Sequence, residues 1–91
     1  MTILSRKVRI QGRVQGVGYR AWTQQQARQH GLVGWVRNCV NGDVEALLQG
    51  PQADVDAMLE ACWQGPPAAQ VSQVLAEDCP QPRCNRFEVT A

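Results

Sequence analysis

The sequence has almost no net charge and no long apolar run. Its 91 residues carry 9 Lys and Arg against 8 Asp and Glu, which gives a net charge of +1. Because these charges are interspersed, no basic face is predicted that could follow a nucleic-acid backbone. No apolar stretch approaches the length of roughly 20 residues that a membrane-spanning helix needs, and the N-terminus lacks the apolar core of a secretion signal. We therefore expect a cytoplasmic protein without a nucleic-acid or membrane partner.

Residues that bind metal ions are few and scattered. The chain has one histidine, His30, and four cysteines without a CxxC pair. Structural zinc sites use such pairs at short spacing, so we expect no metal site and no cofactor. The cysteines are expected to behave as small apolar side chains. Cys79 and Cys84 flank a bend at residues 80–83, and a disulfide between them stays open, although cytosolic thiols usually remain reduced.

The composition that is present fits one small globular domain. The hydrophobic fraction is 44% and the charged fraction is 19%, which is ordinary for a soluble protein and typical of neither a fibre nor a disordered chain. A chain of this length can bury one modest core. We find no internal repeat, linker or low-complexity segment, and we predict a single domain that spans residues 1–91.

Local patterns predict five strands and two helices. Alternating polar and apolar residues indicate strands, Asn41-Gly42 is a strong hairpin signal, and Gly31 is expected to end the first helix in a left-handed conformation. Pro51 is predicted at the first position of the second helix, whose buried stripe is Val55, Met58, Leu59 and Cys62. The predicted strands are Lys7–Gln11, Val33–Cys39, Asp43–Leu48, Val71–Glu77 and Phe87–Val89, and the predicted helices run from about Tyr19 to His30 and from Pro51 to Gly65.

This order of elements predicts the fold class. The predicted order corresponds to the ferredoxin-like split βαβ arrangement: strand, helix, strand, strand, helix, strand and a short C-terminal strand. We therefore expect an α+β domain with an antiparallel sheet and both helices on one face. A strand–helix–strand crossover leaves its two strands parallel, so the C-terminal ends of the first two strands should meet at one edge of the sheet.

A glycine-rich turn, Gly12–Gly18, connects the first strand to the first helix. Its glycines permit left-handed backbone angles, so that successive N–H groups can point inward and form an anion site next to the helix start. Arg20 offers a planar set of donors that matches phosphate oxygens. Two other interpretations stay open: a turn without a ligand, and a dinucleotide pattern at Gly16–Ala21, which normally accompanies a parallel sheet and an acidic residue that this chain lacks after its second strand.

Asn38 is the second candidate site residue. Asparagine is a poor strand residue, and its position near the end of the second strand has two explanations. It either begins the hairpin or serves a site at that edge of the sheet. Because the glycine turn follows the first strand and Asn38 ends the second, the predicted topology brings the two together.

Both segments resemble the signatures of the acylphosphatase family. Residues 10–20, IQGRVQGVGYR, resemble the first signature, G-x-V-Q-G-V-x-aromatic-R, with Tyr19 where phenylalanine is commoner. Residues 34–38, GWVRN, with Gly42, Val44 and Gly50 at the family's spacing, resemble the second. Because two motifs occur in the right order and spacing, the resemblance is specific, and it extends over the predicted fold of the whole chain.

The resemblance implies a function and roles for named residues. It implies hydrolysis of acyl phosphates to a carboxylate and inorganic phosphate, with no metal and no phosphoenzyme. Arg20 would bind the phosphoryl group and Asn38 would orient the attacking water. The main-chain donors that help Arg20 would belong to Gln15, Gly16, Val17, Gly18 and Tyr19.

Two other functions stay open from the sequence. A non-catalytic module that binds a phospho-ligand or carbamoyl phosphate, of the kind found as a domain in larger maturation enzymes, would use the same loop without turnover. RNA-binding domains share the sheet architecture but display aromatic residues on central strands, whereas the first strand here presents Lys7, Arg9 and Gln11. We expect a monomer whose partner is a small-molecule acyl phosphate, with inorganic phosphate as product.

Overall fold

The computed structural model describes residues 2–90, and these residues form one five-stranded sheet with two helices. The spatial order of the strands is β4-β1-β3-β2-β5. The predicted α+β, ferredoxin-like fold is confirmed. The strands are β1 (Ile3–Arg13), β2 (Val33–Asn38), β3 (Val44–Pro51), β4 (Gln70–Asp78) and β5 (Phe87–Val89), and the helices are α1 (Tyr19–Gln29) and α2 (Gln52–Gln64).

The strand directions bring the ends of β1 and β2 to one edge of the sheet. β3 pairs antiparallel with both β1 and β2, so β1 and β2 run in the same direction on either side of it. β4 also pairs antiparallel with β1. β5 pairs parallel with β2, which makes the sheet mixed rather than wholly antiparallel. The convergence that was expected from the crossover rule is therefore present.

The core lies between one face of the sheet and the two helices. Alternate residues of each strand point to this face, because successive side chains of a strand point to opposite sides. The predicted stripe on α2 is confirmed: Val55, Met58 and Cys62 are buried and Leu59 packs at the margin. The buried apolar residues of the strands on this face are Val8, Ile10, Val36, Val44, Ala46, Leu48 and Phe87.

Gly34 allows β2 to lie very close to β3. A Cβ atom at this position would come within 1.8 Å of the main-chain oxygen of Leu47, and the φ of Gly34 is 142°. Any side chain here would therefore push the two strands apart. Since β2 carries Asn38 at its end, Gly34 contributes to the placement of the candidate site.

The bounds of every element except β5 differ from the sequence prediction, and the largest differences lie at the start of β1 and at the junction of β3 and α2. β1 begins at Ile3, because residues 3–6 pair with the second half of β3, although their sequence does not alternate. Pro51 ends β3 and caps α2 with φ −58° and ψ 143°, so its prediction as the first helical residue is wrong. The helix therefore begins at Gln52, whose N–H donates to the carbonyl of Thr2 (2.9 Å). Gly31 adopts the predicted left-handed conformation, with φ 69°.

Residues 79–86, here called the crossing segment, connect the two edge strands β4 and β5. Because these strands lie at opposite edges, the segment passes across the sheet beside Gln49. Cys79 and Cys84 lie at this segment as free thiols, and Cys39 and Cys62 are also free. No helix within residues 2–90 has the length and apolar character required to cross a membrane.

Candidate active site

A cavity of about 290 Å³ lies at the end of the sheet that the C-terminal ends of β1 and β2 form. It brings together the turn after β1, the start of α1, the end of β2 and β5. Its lining combines main-chain donors, the guanidinium of Arg20 and the side-chain amides of Gln24 and Asn38, which is a suitable set for an oxyanion. The lining residues are Val14, Gly16, Gly18, Tyr19, Arg20, Ala21, Gln24, Asn38 and Val89.

The turn presents unpaired donors to this cavity. Gly16 has φ 75° and Gly18 has φ 81°, angles that residues with a Cβ atom rarely adopt. Gly18 is also the N-cap of α1, so no side chain caps the helix, and the first turn contains no acidic residue. The first helical hydrogen bond runs from the Trp22 N–H to the Gly18 carbonyl (3.0 Å). The N–H groups of residues 19–21 therefore have no partner within the helix and favour a bound anion.

Arg20 places its guanidinium between α1 and the C-terminal end of the chain. The side chain is half-buried, and Nη1 donates to the main-chain carbonyl of Thr90 (3.1 Å). Thr90 is itself held by β2, because its N–H donates to the Val36 carbonyl (2.8 Å). A guanidinium has five donors, so this anchor fixes its orientation and leaves donors for phosphate oxygens.

Asn38 enters the cavity from the last position of β2. It is half-buried and pairs with Val44 across the hairpin. The next residue closes the hairpin, since the Cys39 N–H donates to the Asp43 carbonyl (2.8 Å). In the structure Asn38 precedes the hairpin turn and also lines the cavity, so that its role in a site stays a prediction.

The seven predicted site residues do not all reach the cavity wall. Gly16, Gly18, Tyr19, Arg20 and Asn38 line it. Val17 packs its side chain against the core, and the amide of Gln15 points to the β2–β3 hairpin. A role of these two residues through their main-chain N–H groups stays a prediction.

Tyr19 joins the turn to the end of α2. Its side chain is 1% exposed, and its hydroxyl donates to the main-chain carbonyl of Cys62 (2.6 Å). This carbonyl belongs to the last turn of α2, where helical carbonyls lack intrahelical partners. Burial raises the pKa of Tyr19 above its ordinary value, and burial also raises the pKa of the Cys62 thiol to about 11. Both groups are therefore neutral at physiological pH.

Sequence reasoning missed Gln24, Val89 and Thr90. Gln24 lies one helical turn after Arg20, and the spacing i, i+4 on α1 was a usable signal that the two side chains share a face. Its Nε2 donates to the Phe87 carbonyl (3.1 Å). No local pattern marked Val89 or Thr90, because their position depends on the parallel pairing of β5 with β2.

Arg9 on β1 and Arg37 on β2 are paired with carboxylates. Arg37 binds Glu45 through Nε (3.0 Å) and Nη2 (2.7 Å). Arg9 binds Glu45 (3.1 Å) and Asp43 (3.1 Å), and the hydrogen bond to Asp43 raises the pKa of Arg9. Arg37 therefore adds no free positive charge to the cavity. Within residues 2–90 no group of three or more His, Cys, Asp or Glu side chains is arranged to hold a metal ion.

Comparisons with known proteins give one consistent result. A family model described as Acylphosphatase matches residues 6–89. A protein of Alcanivorax borkumensis named acylphosphatase is 52% identical over 90 residues, which cover 94% of this chain and 98% of that protein.

Solved structures agree with the sequence relatives. The chain is similar to an acylphosphatase from Coxiella burnetii, with a TM-score of 0.93, 34% identity, and coverage of 97% of this chain and 93% of that one. It is also similar to acylphosphatase from Bacillus subtilis, with a TM-score of 0.92, 31% identity, and coverage of 99% and 100%. The similarity therefore extends over the whole domain, including both site segments.

Proposed function

This chain belongs to the acylphosphatase family, and we propose that its hydrolysis of acyl phosphates takes place in the cavity that Arg20 and Asn38 line. One observation carries the proposal. The fold brings a guanidinium, an asparagine amide and two glycines of the turn to a single cavity of about 290 Å³. A phosphoryl dianion matches these groups in charge and in hydrogen-bonding pattern.

Binding of the phosphoryl group depends on Arg20 and on main-chain donors of residues 15–19. Arg20 uses one nitrogen to hold the Thr90 carbonyl and directs its remaining donors to the phosphoryl oxygens. Phosphoryl transfer spreads negative charge over the equatorial oxygens in the transition state. Because the arginine and the main chain are already oriented, they stabilise this charge without reorganisation.

Asn38 orients the water that attacks phosphorus. Its side-chain carbonyl oxygen accepts a hydrogen bond from the water, and a neutral amide does not repel the dianion as a carboxylate would. The new bond joins the water oxygen to phosphorus, and the bond between phosphorus and the acyl oxygen breaks. The products are a carboxylate, which is a good leaving group, and inorganic phosphate. None of the described residues that line the cavity carries a carboxylate or an imidazole, so a phosphoryl oxygen accepts the proton.

A steady-state assay with benzoyl phosphate in the presence of EDTA tests the proposal. We expect turnover by the wild-type protein and a loss in kcat/KM of about 1000-fold or more for Arg20→Ala and of about 100-fold or more for Asn38→Ala. Circular dichroism should remain native. Arg83→Ala and Asn85→Ala are matched controls, because they remove the same residue types from exposed positions of the crossing segment.

Three outcomes would contradict parts of this proposal. A folded Arg20→Ala or Asn38→Ala variant with nearly full activity would exclude the assigned role. Activity that disappears with EDTA would exclude a metal-independent reaction. Phosphate binding in a calorimeter without any turnover of benzoyl phosphate would instead favour the phospho-ligand binding module.

We also propose that the protein acts as a monomer in the cytosol. All groups of the proposed site come from one chain, so the reaction requires no second subunit. The four free thiols fit a reducing compartment. Size-exclusion chromatography with light scattering tests the monomer, and cell fractionation tests the compartment.

A further inference from the structure

The side chain of Gln15 connects the turn after β1 to the hairpin that carries Asn38. Its Nε2 donates to the main-chain carbonyl of Cys39 (2.8 Å) and to that of Asp43 (2.9 Å). These two carbonyls lie at the base of the hairpin loop, where the Cys39 N–H also donates to the Asp43 carbonyl. Both hydrogens of one amide group are therefore used to hold the residue next to Asn38 and the opposite strand together.

The remaining contacts of the hairpin loop do not reach the turn after β1. Asp43 binds Arg9 of β1 through its carboxylate (3.1 Å) and accepts a hydrogen bond from the Asn41 amide (3.1 Å). The Gly42 N–H donates to the Cys39 carbonyl within the loop (3.2 Å). Within residues 2–90, two hydrogen bonds join turn residues 14–18 to loop residues 39–43, and both come from the side chain of Gln15.

We infer that Gln15 is a positioning residue, which sets the distance between the amide of Asn38 and the bound phosphoryl group. This inference rests on the proposed function. The main chain of Gln15 belongs to the anion-binding turn, and its side chain binds the carbonyl of the residue that follows Asn38. One residue thus ties the phosphoryl site to the amide that orients the water. A displacement of the water by about 1 Å can lower a rate about 100-fold.

Substitution of the Gln15 amide tests the inference. Gln15→Met has a similar length and no donor, so we expect kcat for benzoyl phosphate to fall by about 10- to 100-fold. KM and the inhibition constant of inorganic phosphate should change by less than about threefold, because the main-chain N–H groups and Arg20 are retained. Gln15→Lys keeps a donor that reaches the two carbonyls and should restore kcat to within about fivefold of wild type.

A double variant separates positioning from a general structural effect. If Gln15 acts through Asn38, then Gln15→Met combined with Asn38→Ala should be no more than about twofold slower than Asn38→Ala alone. Multiplied losses would reject the inference, as would a folded Gln15→Met variant with wild-type kcat. An unchanged kcat with a raised KM would also reject it, because it assigns Gln15 to binding only.

Two further controls keep the result interpretable. If Gln15→Met does not give native circular dichroism, Gln15→Asn removes one methylene group, keeps a polar side chain and cannot reach both carbonyls; wild-type kcat in this variant would reject the inference. If Asn38→Ala alone is fully active, the proposed role of Asn38 fails. An inactive Asn38→Ala beside a fully active Gln15→Met rejects only the positioning role.

Discussion

The two ends of the sheet differ in whether their polar groups have hydrogen-bond partners within the fold. At the site end, α1 begins without a side-chain cap, and the donors of its first turn have no partner within the helix. At the other end, the buried side chain of Gln49 uses both of its polar atoms. Its Nε2 donates to Ser5 Oγ (3.2 Å) and to the Pro82 carbonyl (3.2 Å), and its Oε1 accepts from the Cys84 N–H (2.8 Å).

Cavity size alone would not identify the candidate site, because cavities of about 560 and 530 Å³ lie elsewhere on the described part of the chain. A cavity of about 440 Å³ lies beside the crossing segment, and Ile3, Leu4 and Pro80 form part of its lining. It exceeds the cavity of about 290 Å³ at Arg20. The smaller cavity is the better candidate because unpaired donors converge on it, whereas the Gln49 amide at the larger one is already satisfied. The polar groups at the Gln49 end are therefore paired within the fold, whereas those at the site end stay available, in agreement with the proposed ligand site.

Arg20→Lys should give the largest effect, and it should change activity rather than stability. Lysine keeps the charge but loses the planar set of donors, so we expect kcat/KM for benzoyl phosphate to fall by about 1000-fold, or about 4 kcal/mol. The free energy of unfolding in urea should change by less than about 1 kcal/mol, because the lost contact with the Thr90 carbonyl is exposed. A large loss of stability would show that the site end also supports the fold.

Gln49→Leu should show the reverse behaviour at the other end. The substitution leaves the Cys84 N–H and the Pro82 carbonyl without the Gln49 amide, and we expect a loss of about 3 kcal/mol in the free energy of unfolding. At a temperature well below unfolding, kcat/KM should change by less than about threefold. Gln73→Leu is the control, since Gln73 is exposed on β4. An inactive but stable Gln49→Leu variant would contradict the division between the ends.

The two ends also differ in what the sequence could predict. At the site end, the glycine turn, Arg20 and Asn38 are close to strands whose order and direction follow from local patterns and the crossover rule, so their convergence was predictable. At the other end, Gln49 lies just beyond the predicted strand Asp43–Leu48, and no local pattern marked it. Its role depends on the path of residues 79–86, which no periodicity describes, because the segment is irregular and is held by partners far away in the sequence.

The same reason explains what was missed at the site itself. The contact of Arg20 with Thr90 requires β5 to pair parallel with β2, and a short strand gives no sign of its partner. The two bonds from the side chain of Gln15 depend on the width of the gap between the turn and the hairpin. Patterns along the chain predict elements and faces, whereas such distances depend on packing.

Raising the pH should weaken the fold through the buried thiol of Cys62. Burial raises the pKa of the Cys62 thiol from 9.0 to about 11, so the unfolded chain releases this proton at a lower pH than the folded chain. Stability is therefore complete below about pH 9 and decreases as the pH rises to about 11, by about 2 to 3 kcal/mol. Buried Tyr19, whose pKa is also raised, acts in the same direction.

Cys62→Val measures how much of the pH dependence of the free energy of unfolding comes from the thiol. Urea unfolding at several pH values between 8 and 11 should show a shallower decrease in the free energy of unfolding for the variant, with the Tyr19 contribution remaining. Equal slopes for both proteins would show that Cys62 does not cause the decrease. Since the thiol lies in the core and not in the cavity, the loss of activity at high pH should follow the loss of folded protein.

Tyr19→Phe should give the smallest effect. It tests a residue that connects the site end of the sheet to the end of α2. The main chain of Tyr19 belongs to the site end, but its hydroxyl is fully paired with the Cys62 carbonyl at the end of α2 (2.6 Å). The variant leaves that carbonyl without this donor, so we expect a loss of about 1 kcal/mol in the free energy of unfolding. The N–H group of residue 19 is retained, and kcat/KM should fall by less than about threefold. A stability loss with little change in kcat/KM means that the hydroxyl supports only α2, whereas a drop in kcat of about tenfold or more means that the turn after β1 depends on this anchor.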